Sequence, residues 1–218
     1  MPDIPIIDDN NYENFVDGVR GYQGMFEPGA DVSCGSFEDL GLPLIPEGDW
    51  DDIIRQQQKD GATLRQMIED MGLPPKNQKS VPYCWVFAPT HCCEIIRVME
   101  TGRVVSYSPA SCGAPVKGFR RVGGWGSQAL ERMKVHGINY SDDWPDTAVS
   151  RRYFTDENKR KARLHVALEY VVLQSWQERA SCILAGIPTA DGYPWWRHEV
   201  IGTGLTIGDH DLEIRNSW

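Results

Sequence analysis

The segment QKSVPYCWVFAPTHCCE, residues 78–94, decides how this chain is interpreted, because it places a cysteine immediately before an apolar helical stretch. The pattern predicts a helix over residues 84–100 that begins at Cys84, with Trp85 and Phe87 anchoring it in the core. A thiol at a helix N-terminus lies at the positive end of the helix dipole, which favours the thiolate over the thiol. Cys84 is therefore a candidate nucleophile, although a single buried cysteine is more often structural.

Two segments near the end of the chain carry the groups that such a nucleophile needs. The segment WWRHEVIGTG, residues 195–204, puts His198 at the head of an apolar strand, and DLEIRNSW, residues 211–218, places Asn216 after another strand. A thiolate nucleophile requires a base that holds its proton and an acceptor that orients the base. Cys84, His198 and Asn216, in that chain order, satisfy this requirement.

The apolar pattern along the whole chain predicts helices first and an antiparallel sheet afterwards, which is an α+β arrangement. The predicted helices cover residues 50–72, 84–100, 125–136 and 156–176. The predicted strands cover residues 181–188, 199–205 and 212–215, separated by turns rich in glycine or aspartate.

Composition excludes several classes of protein. The 218 residues include 31 acids against 22 lysines and arginines, a net charge of −9, which argues against nucleic acid or an anionic membrane as the main partner. No apolar run approaches the ~18 residues of a membrane span. The N-terminal residues are not expected to form a secretory signal, so the six cysteines predict thiols in a reducing, cytoplasmic compartment.

Residues 1–50 are rich in Asp, Gly and Pro and have few periodic apolar positions. Such a segment alone would hardly bury enough apolar surface to stay ordered. Two interpretations remain open for this segment: it lies on the body of the protein, or other subunits of a larger assembly order it.

The spacing of several motifs resembles that of the papain-like cysteine proteases over residues 76–218. Gln78 precedes Cys84 by six residues and Trp85 follows the cysteine directly. Glu94 falls ten residues after the cysteine, on the same predicted helix. The other matching motifs are SYSPASC at 106–112, VGGWGSQAL at 122–130, HEVIGTG at 198–204 and IRNSW at 214–218.

This resemblance implies a two-lobe fold, with a helical left lobe and an antiparallel β right lobe on either side of a cleft. It implies a peptidase that cleaves a peptide or protein substrate through an acyl-enzyme intermediate, with Cys84 as nucleophile, His198 as its proton partner and Asn216 orienting the imidazole. Gln78 and the backbone N–H of Cys84 would hold the developing oxyanion. The implied substrate-binding residues are Gly123, Gly124, Trp85 and Trp218. Neither a cofactor nor a metal ion is implied.

The resemblance also divides the chain into two parts. Residues 1–75 would be an acidic N-terminal extension with one helix over residues 51–71, and residues 76–218 the peptidase domain. The extension is either an inhibitory pro-segment or a structural element that packs on the body. Because the family normally continues through more strands, we expect a truncated right lobe or a natural chain that extends beyond Trp218.

Departures from the family pattern leave a second function open. Val81, Pro82 and Tyr83 replace the small residues and the second cysteine that usually precede the nucleophile, and the bulky Tyr83 is expected to narrow the cleft. Arg197 precedes His198, and a neighbouring cation disfavours the imidazolium form. The alternative is a catalytically weak or inactive papain-like scaffold that serves as a structural or assembly component, for example of a phage virion, where the protein would then be located.

Overall fold

The computed structural model describes residues 35–167 and 169–217. The acidic segment of residues 1–34, which includes Cys34, lies outside the described residues. So do Leu168 and the predicted substrate contact Trp218.

The region predicted to form one helix over residues 51–71 forms two, so that prediction is wrong. Helix α1 (Trp50–Asp60) ends at Gly61, whose φ of +64° is a left-handed value that favours glycine. Helix α2 (Leu64–Asp70) begins after Thr63, whose side-chain oxygen accepts a hydrogen bond from the N–H of Gln66 at 3.1 Å. Local capping therefore divides the segment.

The central helix of the fold is α3 (Cys84–Thr101), which confirms the helix predicted over residues 84–100. Twelve of its 18 residues are buried, because other elements cover it on several sides. Two of these are α4 (Pro109–Val116), which the sequence pattern did not indicate, and α5 (Gly126–His136), which confirms the helix predicted over residues 125–136. These three helices enclose one apolar core that includes Trp85, Phe87, Ala110, Ala129, Met133 and Trp144.

The prediction of one helix over residues 156–176 is wrong, because the chain is no longer helical after one short helix. Helix α6 (Asp156–Ala162) is followed by a turn in which the carbonyl of His165 accepts a hydrogen bond from the N–H of Ile138 at 3.0 Å. A second helix, α7 (Trp176–Leu184), begins after Ser175, whose side chain accepts from the N–H of Glu178 at 3.1 Å. Pairing with a distant segment thus replaces the predicted helical turns.

Three antiparallel strands form a sheet in the order β1-β2-β3. They are β1 (Thr189–Tyr193), β2 (His198–Leu205) and β3 (Leu212–Arg215). The last two confirm the strands predicted over residues 199–205 and 212–215. The strand predicted over residues 181–188 is wrong, since its first four residues belong to α7.

Helices α3, α4 and α5 form a helical lobe, and the three strands form a β lobe that packs against α3. This arrangement is the one expected from the α+β prediction. Strand β2 packs on α3, while α7 and α1 cover the sheet through a second core that includes Trp50, Ile54, Ile183 and Leu205. Helix α2 contributes Leu64 and Ile68 to a third core with α3 and β2. None of the described helices is both long enough and apolar enough to cross a membrane.

Candidate active site

Cys84 is the first residue of α3, and its side chain is fully buried. The helix starts here because the carbonyl of Tyr83 accepts hydrogen bonds from the N–H groups of Val86 and Phe87, at 2.8 and 2.9 Å. The first N–H groups of a helix point out of its N-terminus, so the positive end of the helix dipole lies at Cys84. This field stabilises negative charge on the sulfur.

His198 is the first residue of β2, and its ring is oriented by Asn216, the residue that follows β3. The two atoms His198 Nε2 and Asn216 Oδ1 are 2.7 Å apart. A carbonyl oxygen can only accept, so Nε2 carries a hydrogen and donates it. The same Oδ1 accepts from the N–H of Ser217 at 2.7 Å, which fixes the amide. With the hydrogen on Nε2, Nδ1 is the ring nitrogen whose lone pair can accept a proton.

The turn before β2 places an aromatic ring against the imidazole of His198. The ring of Trp196 meets the ring of His198 edge-on with centroids 4.9 Å apart, and Trp196 is only 3% exposed. Its neighbour Trp195 stacks on it at 5.9 Å and is 38% exposed. Arg197 occupies the turn at φ +52° with its side chain exposed. Trp196 therefore shields one side of His198.

Gln78 is joined to the segment that carries Asn216. Its N–H donates to the carbonyl of Ser217 at 2.7 Å, and its Oε1 accepts from Ser217 Oγ at 2.8 Å. Its Nε2 donates to the carbonyl of Val81 at 3.3 Å. Ser217, which the sequence reasoning did not single out, thus links Gln78 with Asn216 and His198 in one hydrogen-bonded array.

Helix α3 faces this array with its first turns. A cavity of about 10 Å³ lies between the helix and the sheet. Its walls include Phe87, Ala88 and His91 of α3, residues 199–201 of β2, and Asn216 with Ser217. The fold therefore brings the helix that starts at Cys84 against the strand that starts at His198.

Lys76, two residues before Gln78, is a further member of the site region that sequence reasoning missed. Its Nζ forms an ion pair with Glu94 Oε1 at 2.9 Å, with both side chains nearly fully buried. The other oxygen, Glu94 Oε2, lies 2.7 Å from His91 Nδ1, and Oε1 also accepts from the N–H of Tyr107 at 2.6 Å. This buried network ties the loop that carries Gln78 to α3. Glu94 had been noted only for its spacing.

The predicted substrate contacts Gly123 and Gly124 are both buried, and Gly124 lies against Trp85. A Cβ on Gly124 would lie 2.7 Å from the Trp85 ring and 2.6 Å from Lys117 Cε, so only glycine fits there. Trp85 is 0% exposed and packs against Gly124. The Nζ of Lys117 lies 4.9 Å from the centroid of the Trp85 ring.

Tyr83 points into the helical core, so the prediction that it narrows the cleft is wrong. Its ring is 0% exposed, meets the ring of Trp85 edge-on at 5.6 Å, and fills the space beside Gly113, where a Cβ would lie 3.0 Å away. Its hydroxyl donates to the carbonyl of Arg120 at 2.8 Å. Tyr83 therefore connects the start of α3 to the loop before Gly123.

Two buried acids lie on the strands next to His198. The carboxylate of Glu199 accepts from the N–H of Gly126, the first residue of α5. Burial, together with the charge of Asp191, raises the pKa of Glu199 well above its usual range. Asp191 forms an ion pair with Arg179 at 2.7 Å, yet burial still raises its pKa. Within residues 35–167 and 169–217, no group of three His, Cys, Asp or Glu side chains could hold a metal ion.

Two solved structures share this architecture. The cysteine protease xylellain from Xylella fastidiosa aligns with 93% of this chain and 87% of its own, at 14% identity and a TM-score of 0.61. Digestive procathepsin L 3 from the larval midgut of Tenebrio molitor aligns at 18% identity and a TM-score of 0.56, over 69% of this chain. The chain spans only 58% of the length of that procathepsin.

These likenesses show that the chain has the papain-like fold of the two cysteine proteases. No protein-family model and no curated protein sequence matches the chain. The neighbours come from an insect and a bacterium and give no support to a phage or virion role.

Proposed function

We propose that this chain with a papain-like fold is a cysteine peptidase that cleaves peptide bonds with Cys84 as nucleophile and His198 as its proton partner. The observation that carries the proposal is the hydrogen bond of 2.7 Å between His198 Nε2 and Asn216 Oδ1, at one end of the strands of the sheet that packs on α3. Thiolate chemistry requires a cysteine and a base in a defined tautomer. Here the amide of Asn216 sets the tautomer of the base, and the helix against which the sheet packs begins with the cysteine.

The reaction would proceed in two halves. The thiol proton of Cys84 passes to His198 Nδ1, and the thiolate attacks the substrate carbonyl. The resulting oxyanion would be held by Gln78 Nε2 and the N–H of Cys84, after which the imidazolium gives its proton to the leaving amine. Water, deprotonated by His198, then attacks the thioester. The carboxylic acid leaves, and the thiol is restored.

A second candidate function is a catalytically inactive scaffold with a structural or assembly role. One observation favours it: the side chains of Cys84 and His198 are both 0% exposed. A peptide carbonyl must reach the sulfur, so catalysis would require movement that uncovers it. An inactive scaffold has no such requirement, but it also has no need for the ordered His198–Asn216 pair.

The rate of alkylation of Cys84 as a function of pH separates these functions. Limiting iodoacetamide followed by peptide mapping reports each cysteine separately, and Cys92 is an internal reference because burial raises its pKa well above the usual range. An active pair predicts selective labelling of Cys84 at pH ~5, where a thiol of ordinary pKa, about 8.5, is protonated.

Matched variants sharpen this test. Asn216→Ala removes a hydrogen bond to a charged group, worth about 1.5–3 kcal/mol, so labelling at pH 5 should fall by about 10- to 150-fold. Asn77→Ala is the control, because Asn77 is exposed and bonds only within its own turn in the described structure. Peptide cleavage should disappear in Cys84→Ala. Labelling only above pH ~8, and no faster than in denatured protein, would contradict the peptidase proposal.

A further inference from the structure

The loop between α4 and Gly123 carries an unusual concentration of positive charge. Residues 117–122 read KGFRRV, three cations without an acid, in a chain whose net charge is −9. Arg120 and Arg121 are exposed, and Lys117 is partly so. Arg151 extends the same surface, since its guanidinium lies 4.7 Å from the centroid of the Phe119 ring.

This basic loop, residues 117–121, contacts both sequence neighbours of Cys84, which are Tyr83 and Trp85. On one side, the hydroxyl of Tyr83 donates to the carbonyl of Arg120 at 2.8 Å. On the other side, the side chain of Lys117 lies over the ring of Trp85 and against Gly124. The loop is therefore held beside the start of α3, where the candidate nucleophile lies.

The charges of the loop are not neutralised within the part of the chain that the structure describes. No ion pair among those residues includes Lys117, Arg120 or Arg121. Lys117 Nζ donates instead to the neutral Oε1 of Gln128 at 2.7 Å, and Arg120 Nε donates to the carbonyl of Lys117 at 3.2 Å. Burial lowers the pKa of Lys117, and the neighbouring charge of Arg120 lowers it further.

We infer that the basic loop of residues 117–121 is a specificity subsite that binds an aspartate or glutamate side chain of the peptide substrate. The inference rests on the proposed peptidase function and names its substrate class. Uncompensated cations attract a carboxylate, and guanidinium groups bind it with paired hydrogen bonds. An acidic side chain would supply the counter-charge that the loop lacks among the described residues.

The test uses pairs of fluorogenic peptides. The two members of a pair differ only in carrying Asp or Asn at one position, and that position is moved along the peptide from pair to pair. We expect kcat/KM to be about three- to tenfold higher for the acidic member of one pair, and the preference to shrink as salt rises. The variants Arg120→Glu and Arg121→Glu should abolish or invert this preference for the acidic peptide. Arg103→Glu is the control, because Arg103 is exposed beyond the far end of α3, about 27 Å along the helix from Cys84.

Binding separates failure of this inference from failure of the proposed function. Fluorescence anisotropy with the Cys84→Ala protein measures affinity for the same peptides without cleavage. Preferred binding of the acidic peptide that Arg121→Glu removes supports the subsite even if the unmodified protein cleaves nothing, in which case only the peptidase proposal falls. Cleavage and binding that are equal for Asp and Asn peptides overturn the inference and leave the peptidase proposal standing.

Discussion

Glu94→Ala is expected to destabilise the protein strongly, because Glu94 is the centre of a buried ionic network. The change removes the partner of Lys76 Nζ at 2.9 Å, of His91 Nδ1 at 2.7 Å and of the N–H of Tyr107 at 2.6 Å. The Lys76 side chain is 6% exposed and would keep Asp146 Oδ2, at 3.2 Å, as its remaining charged partner in the described structure, with Ser106 Oγ accepting a hydrogen bond at 3.3 Å. Removing one partner of a buried ion pair costs about 3–5 kcal/mol. In a domain of this size that loss corresponds to a fall in Tm of about 6–20 °C.

Urea unfolding followed by tryptophan fluorescence measures this loss directly. The matched control is Glu100→Ala on the same helix, whose side chain is 62% exposed and lies 3.9 Å from Arg97. That exposed pair should contribute less than about 1 kcal/mol. If Glu94→Ala loses no more stability than Glu100→Ala, the network does not hold the Gln78 loop to α3, and the reasoning is refuted.

Three further changes have expected outcomes of their own. Gly124→Ala puts a methyl group 2.7 Å from the Trp85 ring, so unfolding in urea should show a loss of about 1–3 kcal/mol, and an unchanged stability would contradict this close contact. Tyr83→Phe loses the bond to the carbonyl of Arg120 and should cost about 0.5–1.5 kcal/mol in the same assay, whereas a more stable variant would count against that bond. Burial raises the pKa of Glu199 above its ordinary 4.5, so its contribution to stability is full below pH 4.5 and declines as pH rises towards the folded pKa. Glu199→Gln should flatten that decline above pH 4.5, and an identical pH slope in both proteins would refute the assignment.

Sequence reasoning succeeded for the elements whose apolar pattern agrees with their environment. Helices α3 and α5 and strands β2 and β3 were predicted close to their observed bounds. It failed over residues 156–176, where an apolar stripe suggested one helix although Leu164 is 73% exposed. The signals for the true boundaries were local: Thr63 and Ser175 each precede a glutamine or glutamate by three residues, the spacing of a helix N-cap.

The residues of the candidate site also fall into those that the sequence indicated and those that it missed. Chain order and residue chemistry pointed to Cys84, His198 and Asn216, because each residue type is tied to a chemical role that few other residues can fill. Gln78 followed from the resemblance to the papain-like family. Ser217 had no such role and was missed, although its hydrogen bonds join Gln78 to Asn216. Nothing local in the sequence reports a contact between segments that are 139 residues apart.

By itself, the sequence determined the helix that begins at Cys84, the strand that begins at His198 and the acidic balance of the chain, because periodicity, residue chemistry and charge are properties of neighbouring residues or of simple counts. Only the tertiary structure decided that Lys76 is buried against Glu94, that Tyr83 turns into the core, and that the basic loop of residues 117–121 is held against Tyr83 and Trp85. The physical reason is that burial and the direction of a side chain depend on which distant segments meet, and that pairing is set by the packing of the whole chain.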